Sequence, residues 1–339
     1  MRDVAAIAGV GIKTVSRVVN GEAGVSIDLM TRVQAAIVRL DYRQDLNASL
    51  LRRSERKTAT IGLVLDDISN PFSSALGRSV EDVARERGVL VFAGSCEEDP
   101  ARERELIADL QARRVDGIMV APAGGAEHSY LLSESRAGTA LVFVDRPARF
   151  LDADSVVSDN EGAAQSAVAH LADGGHRRIA FLGDDASVYT ASARLAGYLS
   201  ETSRRDFEVD PEIVRSGIRS IAEAEAATAE LLRLPRPPTA IFAGQNLLAI
   251  GAVRALRAAG LEHSVALVSF DDFLLADLLE PAVTVIAQDP AGIGRAGANL
   301  LFERLDGDRS PSRHIVLSPI LIQRGSGEIA PKRRLRRAR

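Results

Sequence analysis

The chain has 339 residues, 46% hydrophobic and 26% charged, with a formal net charge of −4; this balance fits a globular protein of two or three domains and excludes a low-complexity chain. It has no apolar run of 18 residues and no charged-then-apolar leader, which argues against a membrane span and for a cytoplasmic location. Cys96 is the sole cysteine, which excludes an intrachain disulfide and a cysteine-built metal site and leaves it as a small packed residue.

Residues 5–21 predict two short helices joined by a turn at Gly9, Val10 and Gly11. Ala5 and Ala8 allow close approach, Val10, Val15 and Val18 seal the crossing, and Lys13, Thr14, Ser16, Arg17 and Asn20 face outward. This is the helix-turn-helix pattern, whose second helix enters the DNA major groove; a row of cations, hydroxyls and an amide suits phosphates and base edges. The alternative is a plain helical hairpin with a solvated polar face. Ser26 is placed to cap a third helix running to about Leu40, with Leu29, Val33, Ala36, Ile37 and Leu40 on one face. Residues 41–57 read as a linker in which Leu46, Leu50 and Leu51 can form one or two amphipathic turns. Residues 1–57 carry 10 Lys/Arg against 6 Asp/Glu, and residues 331–339 carry 6 Lys/Arg and no acid, so the body between is acidic. A basic head on an acidic body favours nucleic acid at one end only.

From Thr58 short apolar runs alternate with amphipathic helices. The expected strands are 61–65, 89–93, 117–121, 140–144, 179–182, 240–243 and 265–270; the expected helices are 73–86, 101–113, 161–171, 221–232, 247–259 and 290–305. Such alternation predicts parallel sheets covered on both faces, with ligands bound beyond the carboxyl ends of the strands. Those ends carry Asp66, Asp67, Ser69, Asn70, Asp145, Arg146, Gln245, Asn246, Asp271 and Asp272. Gly292-Ile-Gly-Arg-Ala-Gly297 fits the dinucleotide fingerprint by letter, but Pro290 opens a helix there, which puts the glycines inside its first turns rather than in a strand-to-helix turn. The five histidines show no metal-ligand spacing, and His176 follows a helix end, where a cation is welcome. No nucleophile elbow is present, so no enzyme, cofactor or metal is expected.

Taken together, Asp-Val-Ala-Ala-Ile-Ala-Gly-Val (3–10), Thr-Val-Ser-Arg-Val-Val-Asn-Gly (14–21), Asp-Ile-Ser-Asn-Pro-Phe (67–72), Arg-Arg-Val-Asp-Gly-Ile (113–118), Arg-Leu-Ala-Gly-Tyr (194–198) and Val-Ser-Phe-Asp-Asp (268–272) resemble the lactose-repressor (LacI/GalR) family of bacterial transcription regulators. The resemblance implies an all-α helix-turn-helix head over 1–41, a hinge over 42–57 and a two-lobed α/β core like type I periplasmic binding proteins over 58–329. The lobes are expected at 58–158 plus 289–317 and at 159–288 plus 318–329, with a basic, disordered tail over 330–339. It further implies a homodimer on double-stranded operator DNA, with Ile12, Lys13 and Arg17 reading bases, Thr14, Ser16 and Asn20 on phosphates, and Leu51 wedging into the minor groove. Asn70, Phe72, Arg194, Gln245 and Asp271 fall at positions lining an effector cleft for a sugar or a nucleoside or purine. A cytoplasmic solute-binding or sensor protein without operator binding is the alternative function. The chain departs from the family pattern at Gly11, where a capping serine is usual, at Gln44-Asp45 in the hinge, and at Gln245-Asn246, where Asn-Asp is usual.

Overall fold

Valines and alanines at helical spacing build the N-terminal unit. Helices α1 (Arg2–Ala8), α2 (Ile12–Val19) and α3 (Ile27–Arg39) bury Val4, Ala5, Ala8, Val15, Val33 and Ala36 against one another. Gly9 ends α1 in the left-handed conformation, φ 65°, which its missing Cβ permits. Arg32 of α3 donates to the Ala8 carbonyl at 2.7 Å and ties the third helix to that turn. Ser26 caps α3 by accepting from the Leu29 amide; Leu40, expected on the buried face, is exposed because α3 ends at Arg39.

The computed structural model describes residues 1–19, 22, 24–42, 58–136, 138–207 and 210–331. The expected contacts Asn20 and Leu51, the hinge beyond Tyr42 and the basic residues from Lys332 lie outside them. The chain divides into two units between Thr58 and Ala59.

The second unit holds two six-stranded sheets. The first has the order β11-β5-β4-β3-β1-β2, all parallel, with β1 (Thr60–Leu65), β2 (Leu90–Ser95), β3 (Gly117–Val120), β4 (Ala140–Asp145), β5 (Asp154–Ser158) and β11 (His314–Leu317). The second has the order β12-β10-β9-β8-β6-β7, with β6 (Ile179–Leu182), β7 (Val214–Arg215), β8 (Ala240–Ala243), β9 (Ala266–Phe270), β10 (Thr284–Ala287) and the antiparallel β12 (Ile320–Ile322). Helices α4 (Pro71–Glu86), α5 (Pro100–Ala112), the short α6 (Leu132–Arg136) and α11 (Pro290–Leu305) belong to the first lobe; α7 (Asn160–Asp173), α8 (Tyr189–Arg204), α9 (Ile221–Arg233) and α10 (Asn246–Ala258) belong to the second. Each sheet has an apolar cluster on either face, the burial a parallel sheet requires. The chain passes between the lobes three times: after Ser158, between Ala287 and Pro290, and between Leu317 and Ile320. All three passages lie along the same edge of the paired sheets, the β11–β5 edge of one and the β12–β10 edge of the other.

Gly294 and Gly297 lie within α11, where they let it press on α4 and on β3 and β4: a Cβ at Gly294 would stand 2.5 Å from the Leu76 carbonyl oxygen. His176, whose place after a helix end suggests a welcome for charge, is fully buried instead. Its Nε2 lies 2.7 Å from the Ile329 carbonyl oxygen and its Nδ1 2.9 Å from Thr239, and burial pushes its pKa below the ordinary value. Among the described residues no helix is long and apolar enough to cross a membrane.

Candidate functional site

The N-terminal unit presents one polar stripe. Val15 turns inward, fully buried, so Ile12, Lys13 and Arg17 on the opposite side of α2 are exposed, with Thr14 and Ser16 half-buried on its flanks. Ile12 is 47% exposed, an apolar group left at the open end of the helix. Arg17 stands 3.5 Å from Glu22, and both side chains are about half exposed. A surface pair of this kind contributes little to stability. Gly11 offers no side chain to the first amides of α2, and amides at a helix start are natural partners of a phosphate.

In the second unit the carboxyl ends of the strands face one another across a cleft open at its mouth. Asp145 ends β4 and Asp271 follows β9, both in the left-handed conformation, φ 66° and 68°. They occupy equivalent places, since β4 and β9 are each third from the edge where the lobes join. Asn70 accepts from the Phe72 amide at 3.0 Å, which caps α4, and from Asn246 Nδ2 of the other lobe at 3.1 Å. A second bond between the lobes runs from the Gly125 amide to the Ser187 carbonyl, 3.1 Å. Phe72 supplies an apolar wall.

Arg194 sits at the floor, buried. It donates from Nε to Asn160 and from Nη1 to the Gly244 carbonyl, both at 2.8 Å, lies 3.8 Å over the Phe270 ring, and stands 3.6 Å from Asp271. Arg194 and Asp271 therefore pair within one lobe, not across the cleft. Gln288 donates to Asp271 at 2.6 Å and Gln245 to Asp184 at 3.0 Å. On the first lobe Arg146 holds both oxygens of Glu98, at 2.6 and 3.0 Å, donates to the Pro122 carbonyl at 2.6 Å, and lies 3.3 Å from Asp145. Burial raises the carboxyl pKa values of Asp145 and Asp271, an effect the neighbouring guanidiniums oppose. Asp66 is pushed up to about 6 by burial and by Glu98.

Residues 1–45 match the model of bacterial regulatory proteins of the lacI family, and residues 168–327 match that of a periplasmic binding protein-like domain. Over 328 residues the chain is 30% identical to the ribose operon repressor of Escherichia coli K12, covering 96% of this chain and 99% of that protein. The chain belongs to the lacI family of bacterial regulatory proteins. It is also 29% identical over 333 residues to the transcriptional repressor CytR of the same organism, covering 98% of this chain and 97% of that one. Among solved structures, the Lac repressor dimer bound to operator and the anti-inducer ONPF is similar with a TM-score of 0.84 and 25% identity, covering 96% of this chain and 98% of that chain. This LacI-family chain is a DNA-binding transcriptional regulator with a helix-turn-helix head and an effector-binding core.

In this LacI-family regulator Asn70, Phe72, Arg194, Gln245 and Asp271 line one cleft. Five further charged lining residues carried no site assignment in the sequence: Asp66, Asp145 and Arg146, read there only as polar strand ends, and Glu98 and Asp184. Asp184 was findable by the same rule, because it follows the apolar run 179–182 after a single glycine. Glu98 was not, since it lies in an acidic run that also reads as a solvated turn.

Proposed function

We propose that the chain acts as a homodimeric repressor on a near-palindromic operator and that a small molecule in the cleft sets its affinity for that operator. The division into a head over 1–41, a hinge over 42–57 and a core over 58–329 is part of this reading. Ile12, Lys13 and Arg17 read base edges, Thr14, Ser16 and Asn20 meet phosphates, and Leu51 enters the minor groove. The observation that carries the proposal is the cleft, whose wall takes polar groups from both lobes while Asn246 bonds Asn70 across it. A ligand touching both lobes has different affinity for different lobe angles, and only such a difference can shift a conformational equilibrium. Two exposed apolar surfaces suit a subunit contact: Leu90 and Phe92 on the edge strand β2, and Leu274, Leu275 and Leu278 after β9. Two-fold protein symmetry then calls for a two-fold operator. A sugar-like effector is favoured by the name of the ribose operon repressor and by the similarity to CelR in its cellobiose complex, which is 30% identical with a TM-score of 0.71 and covers 96% of this chain and 98% of that chain. The expected location is the cytoplasm.

Selection of bound DNA from random duplexes by the full chain tests the reading. A palindromic consensus is expected, and Arg17→Ala should relax it at one position in each half-site, by about 1–3 kcal/mol of discrimination. Recovery of no consensus refutes operator recognition; uniform weakening across all sequences moves Arg17 to the phosphates.

A further inference from the structure

The cleft wall carries more acidic groups than basic ones. Its wall carries Asp66, Glu98, Asp145, Asp184 and Asp271 against Arg146 and Arg194, with no lysine or histidine. Both guanidiniums are occupied, Arg146 by Glu98, the Pro122 carbonyl and Asp145, and Arg194 by Asn160, the Gly244 carbonyl, the Phe270 ring and Asp271. Among the described residues neither Asp66 nor Asp184 forms an ion pair. Two buried acceptor atoms of residues that line the cleft have no donor, Oδ1 of Asp145, a residue 8% exposed, and Oε1 of Gln288, and the buried Nε of Arg146 has no acceptor. A buried acceptor without a donor is costly, and a ligand's N–H or O–H groups remove that cost. A metal ion does not answer the excess, because among the described residues no group of three or more His, Cys, Asp or Glu side chains could hold one.

We infer that the effector is a small polyhydroxylated amine, an amino sugar in its ammonium form, with the charge meeting Asp66 and Asp184 and the hydroxyls donating to Asp145 and Gln288. This rests on the reading of the cleft as the effector site. The usual Asn-Asp of the family is Gln245-Asn246 here, and Gln245 hands its amide to Asp184, so an acid reaches the cleft from a different loop. Burial and Glu98 raise both Asp66 and Asp184, while Arg146, together with Arg219 at Asp184, opposes the rise. A bound cation relieves that repulsion. Sugar phosphates and sugar acids meet no unpaired cation on this wall and are rejected.

Calorimetry with the full chain near pH 7, where an amine of pKa about 8 is charged, tests the inference with glucosamine, galactosamine and mannosamine. Each is compared with its parent hexose, its N-acetyl derivative and the hexose 6-phosphate. At least one amine is expected to bind tenfold or more tightly than its neutral and phosphorylated counterparts. Asp66→Asn and Asp184→Asn should each remove most of that advantage. Equal or tighter binding of a neutral or phosphorylated member, or binding of none of the amines, overturns the inference. Hydrogen exchange separates this from failure of the cleft reading. If neutral sugars protect residues 65–73 and 184–194, the cleft stands and only the amine falls; if the sugars that bind protect other segments, the cleft reading falls as well.

Discussion

Asp66→Asn isolates the electrostatic strain in the cleft. The carboxyl titrates at about 6 rather than 3.8 because burial and Glu98 oppose its charge more than Arg146 supports it. Between those values the folded chain keeps a proton that the unfolded chain has released, so stability falls as pH rises through this window. The full difference amounts to about 3 kcal/mol. Asp66 is partly exposed to water in the cleft, and screening reduces the figure to about 1–2 kcal/mol. The amide keeps the shape and removes the charge. The variant should therefore match the wild type near pH 4 and exceed it by about 1–2 kcal/mol near pH 7. Urea unfolding followed by circular dichroism at several pH values measures this. Asp145, Asp184 and Asp271 are also raised by burial, while Asp154, Glu201 and Asp272 are lowered by their arginine partners and act in the opposite direction; all of these are common to both proteins, so the difference between their slopes is the observable. Equal slopes, or a variant less stable than the wild type near pH 7, would refute the reasoning.

Gly124→Val should wedge the lobes apart, since a Cβ there stands 2.9 Å from Ser187 Oγ and 3.0 Å from Val188 Cγ2 on the other lobe. Overpacking of about 1–3 kcal/mol corresponds to a loss of effector affinity of roughly 5- to 150-fold, with a larger radius of gyration in X-ray scattering; unchanged values for both count against contact at the mouth. Gly197→Ala puts a methyl 2.3 Å from the Glu161 carbonyl oxygen and 2.8 Å from Ala164, so the α7–α8 packing should lose about 1–3 kcal/mol in urea unfolding, and an unmoved midpoint contradicts this. Gly11→Ser has open space around it and gains a capping hydroxyl, so the head should melt slightly higher, by a few tenths of a kcal/mol; a lower melting point would show that Gly11 is needed for its backbone.

Much of the fold follows from apolar runs, and what escapes is where polar residues are buried. The runs at 61–65, 179–182 and 240–243 are strands because each is covered on both faces. Strand β5, Asp-Ser-Val-Val-Ser, lacks such a run; it is buried because Arg304 takes both oxygens of Asp154 at 2.8 Å. Helix α8 escaped for a related reason. Its buried face is Thr190, Ala191, Arg194, Gly197, Tyr198, Glu201 and Thr202, which carries no apolar period, since it is the site's floor and a close helix contact at once. The site was legible where a strand ended in a polar residue, at Asn70, Gln245 and Asp271. It was hidden where a residue works through a distant partner, as Glu98 does by gripping Arg146 across 48 positions of sequence.

The three passages between lobes lie along one edge, while Gly125 and Ser187 meet at the mouth. Such a body has one easy motion, like that of a pair of calipers. A bulkier molecule holds the jaws wider, and a smaller one that reaches both Asp145 and Asp271 lets them close. On the proposed function, ligand size is converted to an angle before it is converted to affinity. Two ligands with the same groups but different girth can thus drive the regulator in opposite directions, and changes at the jaws can alter the sign of the response without touching a single residue that reads DNA.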